Sequence, residues 1–203
     1  MNIYAIGLNY ADHIVEFKGK RPEAPVFFMK SSTAYLPDGK PFFLPDFSSE
    51  IDYETELVLR IGKLGKHIQA KFAHRYIEAY TLGIDFTARD IQRHCRANNL
   101  PWEISKAFDG SAPVGKFLPY KPEIDLQNLH FHLDINGKTV QTGHTAQMIF
   151  TTSEIIAHLS QYFTLQDGDL IFTGTPVGVG PVHMEDHLEG FLEGEKILNF
   201  WVK

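Results

Sequence analysis

The sequence predicts a β-rich α+β fold, and three observations lead to this prediction. Its 203 residues and 43% hydrophobic content are enough to bury a sizeable core, and this length is typical of one domain, here residues 1–203. Runs of β-branched and aromatic residues outnumber segments with helical periodicity. Neither an internal repeat nor a linker-like tract divides the chain.

Several runs have the length and composition of β-strands. They cover residues 2–6, 26–29, 53–61, 129–135, 170–173 and 197–202. The pair Asn136-Gly137 follows the fourth run, and Asn-Gly readily adopts the two positive φ angles of a type I′ turn. The sequence therefore predicts a β-hairpin whose second strand begins at Lys138.

Helices are fewer, and four segments show helical periodicity. They cover residues 10–17, 70–80, 87–97 and 153–162. Thr151 lies just before the last segment, and Glu154 lies in its first turn. This spacing is typical of a capping box, in which each of the two side chains accepts a hydrogen bond from the other residue's backbone N–H. We expect helices to flank a structure built mainly of strands.

Composition excludes several classes of partner. The formal net charge is −6, and no basic face of the kind that neutralises nucleic-acid phosphates can be recognised. Cys95 is the single cysteine, so no internal disulfide can form, and a reducing cytoplasmic setting is expected. No run approaches the roughly 18 apolar residues of a membrane-spanning helix, and residues 1–7 have the pattern of a strand and not of a targeting segment.

Two acidic residues, Glu54 and Glu56, lie in the predicted strand 53–61. Side chains of a strand repeat with period two, so both carboxylates point to the same face and repel each other. A solvated face on which Glu pairs with Lys is the commoner reason for such a pattern. The alternative is a divalent cation held between the two carboxylates, which requires a third ligand.

Asp85 can supply that third ligand. It follows a buried run, residues 80–84, and precedes the predicted helix, so it lies at the end of a strand. An N-cap for this helix is an equally plausible role for Asp85, although Thr87 can serve as that cap.

The segment around Asp85 resembles the D-x-[ST]-A-R-D-x-Q signature of the fumarylacetoacetate hydrolase family. Four further segments resemble that family in the same order along the chain. They are Asn9-Tyr10-Ala11-Asp12-His13, Glu54-Thr55-Glu56-Leu57, Ser105-Lys106-Ala107-Phe108-Asp109 and Thr173-Gly174-Thr175-Pro176 with its flanking residues. The pattern is most similar to the short branch of acylpyruvases, oxaloacetate decarboxylases and fumarylpyruvate hydrolases.

The resemblance implies a mixed β-sandwich roll with flanking helices, a homodimer and a metal held by Glu54, Glu56 and Asp85. Mg²⁺ is expected, and Mn²⁺ and Ca²⁺ are alternatives because hard oxygen ligands suit all three ions. Three carboxylates leave roughly half of an octahedron open, and a 2-oxo acid can chelate the metal there.

The resemblance also implies the roles of further residues. His13, oriented by Glu16, is the expected general base that activates water, and Lys106 is expected to stabilise enolate charge. The residues expected to bind substrate are Arg89, Gln92, Thr175 and Lys30. Without the resemblance, each of these side chains would be assigned to an ordinary surface or structural position.

Three functions are open at this point. The first is hydrolysis of an acylpyruvate such as fumarylpyruvate or acetylpyruvate, which releases pyruvate. The second is decarboxylation of oxaloacetate or tautomerisation of a related oxo acid, which stabilises the same enolate without a nucleophilic water. The third is a non-catalytic metal or metabolite binder on the same scaffold.

Overall fold

The computed structural model describes residues 1–11 and 21–203, and strands make up most of its regular structure. The strands are β1 (Ile3–Gly7), β2 (Val26–Lys30), β3 (Tyr35–Pro37), β4 (Ile51–Tyr53), β5 (Thr55–Ile61), β6 (Ile77–Ile84), β7 (Thr87–Ala88), β8 (Ala112–Val114), β9 (Leu118–Pro119), β10 (His130–Ile135), β11 (Lys138–His144), β12 (Leu170–Phe172), β13 (Gly180–Pro181), β14 (His187–Leu192) and β15 (Glu195–Trp201). The α-helices are α1 (Arg89–Ala97), α2 (Glu103–Lys106) and α3 (Thr152–Tyr162), and short 3₁₀ segments lie at Ser32–Ala34, Ala70–Tyr76 and Thr145–Gln147.

The described strands form three sheets. The largest has eight strands in the order β2-β1-β12-β5-β6-β8-β3, with β9 paired to β6. A four-stranded sheet has the order β11-β10-β14-β15, and a small sheet has the order β13-β4-β7. The β1–β12 and β3–β8 pairs are parallel, whereas β5 and β6 run antiparallel at the centre of the large sheet.

The main core lies between the large sheet and α3. Alternate side chains of β5 enter it together with apolar residues of the helix, and each fully buried Leu or Ile contributes roughly 1.5–3 kcal/mol. This buried cluster includes Leu57, Leu59, Ile61, Ile155 and Leu159. The opposite face of β5 carries Glu56 and then Val58, which belongs to a second cluster. One strand therefore supports the core with one face and presents acidic groups on the other.

The predicted hairpin is confirmed. Asn136 and Gly137 have φ angles of 53° and 76°, and they join β10 to β11 in antiparallel register. Each predicted strand run overlaps an observed strand, but the run 53–61 is interrupted at Glu54, which separates β4 from β5.

The predicted helices need two corrections. Residues 70–80 do not form one α-helix, because a 3₁₀ segment ends at Tyr76 and the chain then pairs with β5 as β6. The helix predicted for residues 87–97 begins at Arg89, since Thr87 and Ala88 pair with β4. Most of the predicted helix 10–17 lies outside the described residues.

Within residues 1–11 and 21–203, no helix has the length and apolar character needed to span a bilayer.

The capping box at the start of α3 is confirmed. Thr151 Oγ1 accepts a hydrogen bond from the Glu154 N–H at 3.2 Å, and a Glu154 carboxylate oxygen accepts one from the Thr151 N–H at 2.8 Å. The reciprocal bonds satisfy two backbone donors that the first turn of a helix otherwise leaves unpaired. They fix the position at which α3 begins to pack on the sheet.

We expect Thr151→Ala to lower the free energy of unfolding by about 1 kcal/mol, because it removes the acceptor for the Glu154 N–H. Thr151→Ser keeps the hydroxyl and is the matched control, with an expected change below about 0.5 kcal/mol. Urea denaturation followed by circular dichroism measures both changes. Equal stability of the two variants would show that the bond between the Thr151 hydroxyl and the Glu154 N–H contributes nothing to folding.

Candidate active site

Three carboxylates meet where β5 begins and β6 ends. The register pairs Thr55 with Ile84, so Glu54 lies opposite Asp85, and the Asp85 N–H donates to the Glu54 carbonyl at 2.8 Å. Glu56 is two residues further along and points to the same face. The three side chains are buried, and one carboxylate oxygen from each lies within 4.8 Å of the others. The structure therefore brings together the three predicted metal ligands.

The electrostatics of this cluster fit a divalent cation. Burial raises the pKa of Glu56 well above its usual value, and the negative charges of Asp85 and Glu54 add to this effect. The Gly174 N–H donates to Glu56 Oε2 at 2.6 Å and opposes the shift only in part. Three buried carboxylates that repel one another are hard oxygen donors in close proximity, which is the environment that Mg²⁺, Mn²⁺ or Ca²⁺ stabilises.

Lys106 bridges two of the carboxylates. Its ammonium donates to Glu54 Oε2 at 2.9 Å and to Asp85 Oδ2 at 2.7 Å. Burial lowers the pKa of Lys106, but attraction to Asp85 and then to Glu54 outweighs burial and leaves the pKa above its ordinary value. Lys106 therefore remains a cation at the centre of the site.

Lys30 lies behind Asp85. Its ammonium is 2.6 Å from Asp85 Oδ1 and donates to the Ser111 carbonyl at 2.9 Å and also to the Lys106 carbonyl. Burial lowers the pKa of Lys30, although the charge of Asp85 opposes this shift. These contacts show that Lys30 positions Asp85, and its expected contact with the substrate stays a prediction.

Arg89 connects the cluster to a fourth carboxylate. The guanidinium donates through Nε to Asp52 Oδ2 at 2.7 Å, through Nη2 to Glu54 Oε1 at 2.7 Å and through Nη1 to Gln92 Oε1 at 2.6 Å. Burial raises the pKa of Asp52, and Arg89 opposes that shift. The sequence analysis missed Asp52, which lies in β4, two residues before Glu54.

Gln141 is a second buried residue that the sequence analysis missed. Its side-chain oxygen accepts from the Thr55 N–H at 3.0 Å, and its Nε2 donates to Thr175 Oγ1 at 2.8 Å and to the Pro176 carbonyl at 3.0 Å. Thr175 Oγ1 in turn donates to the Thr55 carbonyl at 3.0 Å. Gln141 therefore ties the Thr175 loop to the strand that carries the carboxylates, and no local sequence signal marks it.

The Gly174 position requires glycine for two reasons. Its φ angle is +101°, and a Cβ there would lie 2.7 Å from the Asn9 Cβ. Asn9 itself donates to the Thr173 carbonyl at 2.7 Å and accepts from the Phe150 N–H at 2.8 Å. This close approach holds the Gly174 N–H against Glu56.

A cavity opens onto the cluster. Its polar lining includes the three carboxylates, Lys106, Arg89, Gln92 and Thr175. Apolar side chains form much of the remaining wall, including Ile6, Leu8, Val26, Phe28 and Trp102. The structure thus brings together most of the predicted site residues, whereas His13 and Glu16 lie outside the described residues.

Comparisons with known proteins find similar sequences over almost the whole chain. A model of the family described as Fumarylacetoacetate (FAA) hydrolase C-terminal matches residues 2–199. The mitochondrial oxaloacetate tautomerase FAHD1 of Mus musculus is 41% identical over 202 residues, which cover 100% of this chain and 91% of the relative. The mitochondrial oxaloacetate decarboxylase of Dictyostelium discoideum is 43% identical over 181 residues, which cover 89% of this chain and 83% of the relative.

A solved structure shows that the similarity includes the fold. The fumarylpyruvate hydrolase of Pseudomonas aeruginosa in complex with Mn²⁺ and pyruvate has a TM-score of 0.94 and 35% identity, with 100% of this chain and 89% of that chain covered. The β-rich fold predicted from the sequence is confirmed by this similarity.

Glu56→Gln tests the electrostatic conflict in the cluster, because it removes one charge and keeps the shape of the side chain. In the metal-free protein we expect the free energy of unfolding near pH 8 to rise by about 1–3 kcal/mol. Affinity for Mn²⁺ should fall at least about 100-fold, since loss of even an outer-shell partner costs 10- to 100-fold. Denaturation and calorimetry measure the two changes, and Glu78→Gln at an exposed ion pair with Arg60 is the control.

The same variant has a defined pH dependence. Because the folded pKa of Glu56 is raised, the stability that this group contributes is present at and below its usual pKa of 4.5 and is lost as the pH rises. The stability difference between Glu56→Gln and wild type should therefore increase with pH and approach zero near pH 4.5. A difference that is constant with pH would exclude a raised pKa at Glu56.

Proposed function

Since the chain belongs to the fumarylacetoacetate hydrolase family, we propose that it is a divalent-metal-dependent enzyme that converts a small 2-oxo acid through its enolate. The observation that carries this proposal is the buried cluster of Glu54, Glu56, Asp85 and Lys106 at the end of a cavity. A bound divalent cation supplies Lewis-acid charge that favours ionisation of the carbon next to the 2-oxo group.

The residues of the chain have separate tasks in this proposal. The Lys106 ammonium, held between Glu54 and Asp85, would place positive charge where the enolate oxygen develops, which would lower the energy of that state. Thr175 lines the cavity and would receive the substrate carboxylate there. Arg89, which also donates to Gln92, holds Glu54 in place, and both residues line the cavity on the side of α1.

Oxaloacetate is the substrate that we place first. The mouse relative is named an oxaloacetate tautomerase and the Dictyostelium relative an oxaloacetate decarboxylase, and both names support this choice. In tautomerisation a proton leaves C3 and the enolate is protonated again on oxygen or carbon. In decarboxylation the C3–C4 bond breaks, carbon dioxide leaves with C4, and the pyruvate enolate takes up one proton at C3.

Hydrolysis of an acylpyruvate is the second candidate, and the complex of the Pseudomonas neighbour with Mn²⁺ and pyruvate favours it. Water, activated by His13 with Glu16 as its orienting partner, would add to the distal carbonyl. The bond between that carbon and C3 would then break, releasing a carboxylic acid and the pyruvate enolate, which takes up a proton. This candidate requires His13, whereas decarboxylation requires no nucleophilic water.

We propose Mg²⁺ as the metal in the cell, with Mn²⁺ or Ca²⁺ as alternatives, because the donor set consists of carboxylate oxygens. A cytoplasmic setting and a single domain over residues 1–203 remain predictions from the sequence.

A substrate panel tests the proposed function. Oxaloacetate, acetylpyruvate and fumarylpyruvate are each supplied with Mg²⁺ or Mn²⁺, with and without excess chelator. Pyruvate release and ketonisation of the enol are both followed. We expect the protein to turn over oxaloacetate and the chelator to stop this turnover. If the reaction needs no activated water, His13→Ala should retain the turnover. Turnover of acylpyruvates that is lost in His13→Ala would support hydrolysis, and metal binding without any turnover would support the non-catalytic binder.

Lys106→Met tests the placement of positive charge. The variant keeps the length of the side chain but removes the ammonium, so kcat should fall about 100- to 1000-fold. Mn²⁺ affinity measured by calorimetry should stay within about tenfold, because the three carboxylates remain. The control is Lys116→Met at an exposed lysine. Turnover of Lys106→Met close to that of the control would remove Lys106 from the mechanism.

We propose that the homodimer implied by the resemblance forms through an apolar surface made of Phe43, Phe47 and Ile104. These side chains are 68%, 54% and 61% exposed, and Phe47 and Ile104 border a cavity with a mainly apolar lining. Exposed apolar groups in such a cluster favour association.

Light scattering of Phe47→Glu tests the dimer. We expect a dimeric wild type and a shift of the variant towards the monomer. Leu64→Glu is the control, since Leu64 is 71% exposed but does not border this cavity. A variant that dimerises as well as the control would place the interface elsewhere.

A further inference from the structure

We propose that Arg96 selects 2-oxo acids that carry a second, distal carboxylate. The proposal rests on the function given above and specifies the substrate class of the same site. It follows from the position of Arg96 on α1, from the pairing of the other cations, and from the character of the outer wall of the cavity.

The first observation is the helical face. Arg89, Gln92 and Arg96 occupy positions i, i+3 and i+7 of α1, which lie on one side of a helix, and all three line the cavity. Arg89 and Gln92 are buried against the carboxylate cluster, whereas Arg96 is exposed. At 1.5 Å per residue, Arg96 lies about 10 Å along the helix axis from Arg89. It therefore stands at the outer end of the cavity.

The second observation is the commitment of the other cations. Arg89 pairs with Asp52 and Glu54, and Lys106 pairs with Glu54 and Asp85. These interactions hold the metal ligands and leave the two cations little freedom to reorganise. Among residues 1–11 and 21–203, Arg96 forms no ion pair with a carboxylate, and its described contact is with an aromatic ring. Its charge is therefore available to a ligand.

The third observation is the surrounding wall. The Arg96 guanidinium lies 6.0 Å from the centroid of the Trp102 ring, and apolar Val26 and Phe28 line the same cavity. Stacking on an aromatic face restrains an arginine side chain without neutralising it. A guanidinium held beside apolar surface binds a carboxylate with two charge-assisted hydrogen bonds, and these are stronger where water is partly excluded.

The proposal predicts a difference in affinity between two substrates that share the 2-oxo acid group. Both bind the site through the 2-oxo acid group, but only a diacid reaches Arg96 with a second carboxylate. A ligand that ends in a methyl group gains nothing from the guanidinium. Oxaloacetate and fumarylpyruvate belong to the favoured class, and acetylpyruvate does not.

The experiment compares 2-oxoglutarate with 2-oxopentanoate, which share a five-carbon chain and differ in the terminal carboxylate or methyl group. Calorimetry with the Mn²⁺-loaded protein measures the Kd of each probe. In Arg96→Gln we expect the Kd of 2-oxoglutarate to rise about 10- to 100-fold and that of 2-oxopentanoate to change less than about twofold. Arg96→Lys should restore part of the affinity for the diacid, because it keeps the charge but not the planar group.

Arg93→Gln is the matched control. Arg93 lies on the same helix but pairs with Glu50 at 3.2 Å, away from the cavity lining. The substitution Arg93→Gln should leave the Kd values of both probes unchanged. A parallel kinetic measurement should show a raised KM for oxaloacetate and an unchanged KM for acetylpyruvate in Arg96→Gln, for whichever of these substrates turns over.

The outcomes separate this inference from the proposed function. Equal weakening of both probes in Arg96→Gln, or equal affinity of the wild type for both, overturns the role of Arg96 and leaves the function standing. Failure of the wild type both to bind either probe and to turn over any 2-oxo acid overturns the function itself. Selective loss of the diacid supports both.

Discussion

A buried network of charges is the constraint on which the rest of the structure depends. Burying an unpaired ion costs several kcal/mol, so each carboxylate of the site needs a partner that the fold places accurately. Its anions are Asp52, Glu54, Glu56 and Asp85, and its cations are Lys30, Arg89 and Lys106. With every group ionised the network keeps one excess negative charge, and the charges of Asp85 and Glu54 add to burial in raising the pKa of Glu56. A bound divalent cation would make the net charge of the network positive, and the cavity would then attract an anionic substrate.

Backbone pairing, more than side-chain packing, determines where these charges lie. The antiparallel register of β5 and β6 places Glu54 opposite Asp85. The Gly174 N–H then reaches Glu56 because Asn9 and Gln141 hold the chain on both sides of that glycine. Each of these polar groups is buried and bonded, so an error in one bond would leave a donor or acceptor unsatisfied at a cost of about 1–3 kcal/mol. These hydrogen bonds therefore define the positions of the carboxylates.

Local patterns in the sequence predicted the parts of the site that depend on local geometry. The period of a strand was enough to place Glu54 and Glu56 on one face, and the end of a buried run was enough to place Asp85 at a strand terminus. The family motifs supplied Lys106 and Arg89. Asp52 and Gln141 were missed because their partners are distant in sequence. For the same reason residues 77–80 were assigned to a helix, since the pairing of β6 with β5 overrides local propensity.

In the proposed function, the helix α1 separates chemistry from recognition in one short element. Its first turn begins beside the carboxylates, where Arg89 is fixed by two ion pairs, and its last turn ends at the mouth of the cavity. Energetic effects of side chains more than about 7–10 Å apart are usually additive, so a change at Arg96 need not disturb the ion network around Arg89. On the proposed mechanism, the same metal and enolate chemistry would serve different oxo acids through changes at the outer turn. Relatives named tautomerase, decarboxylase and hydrolase on one fold are consistent with such a division.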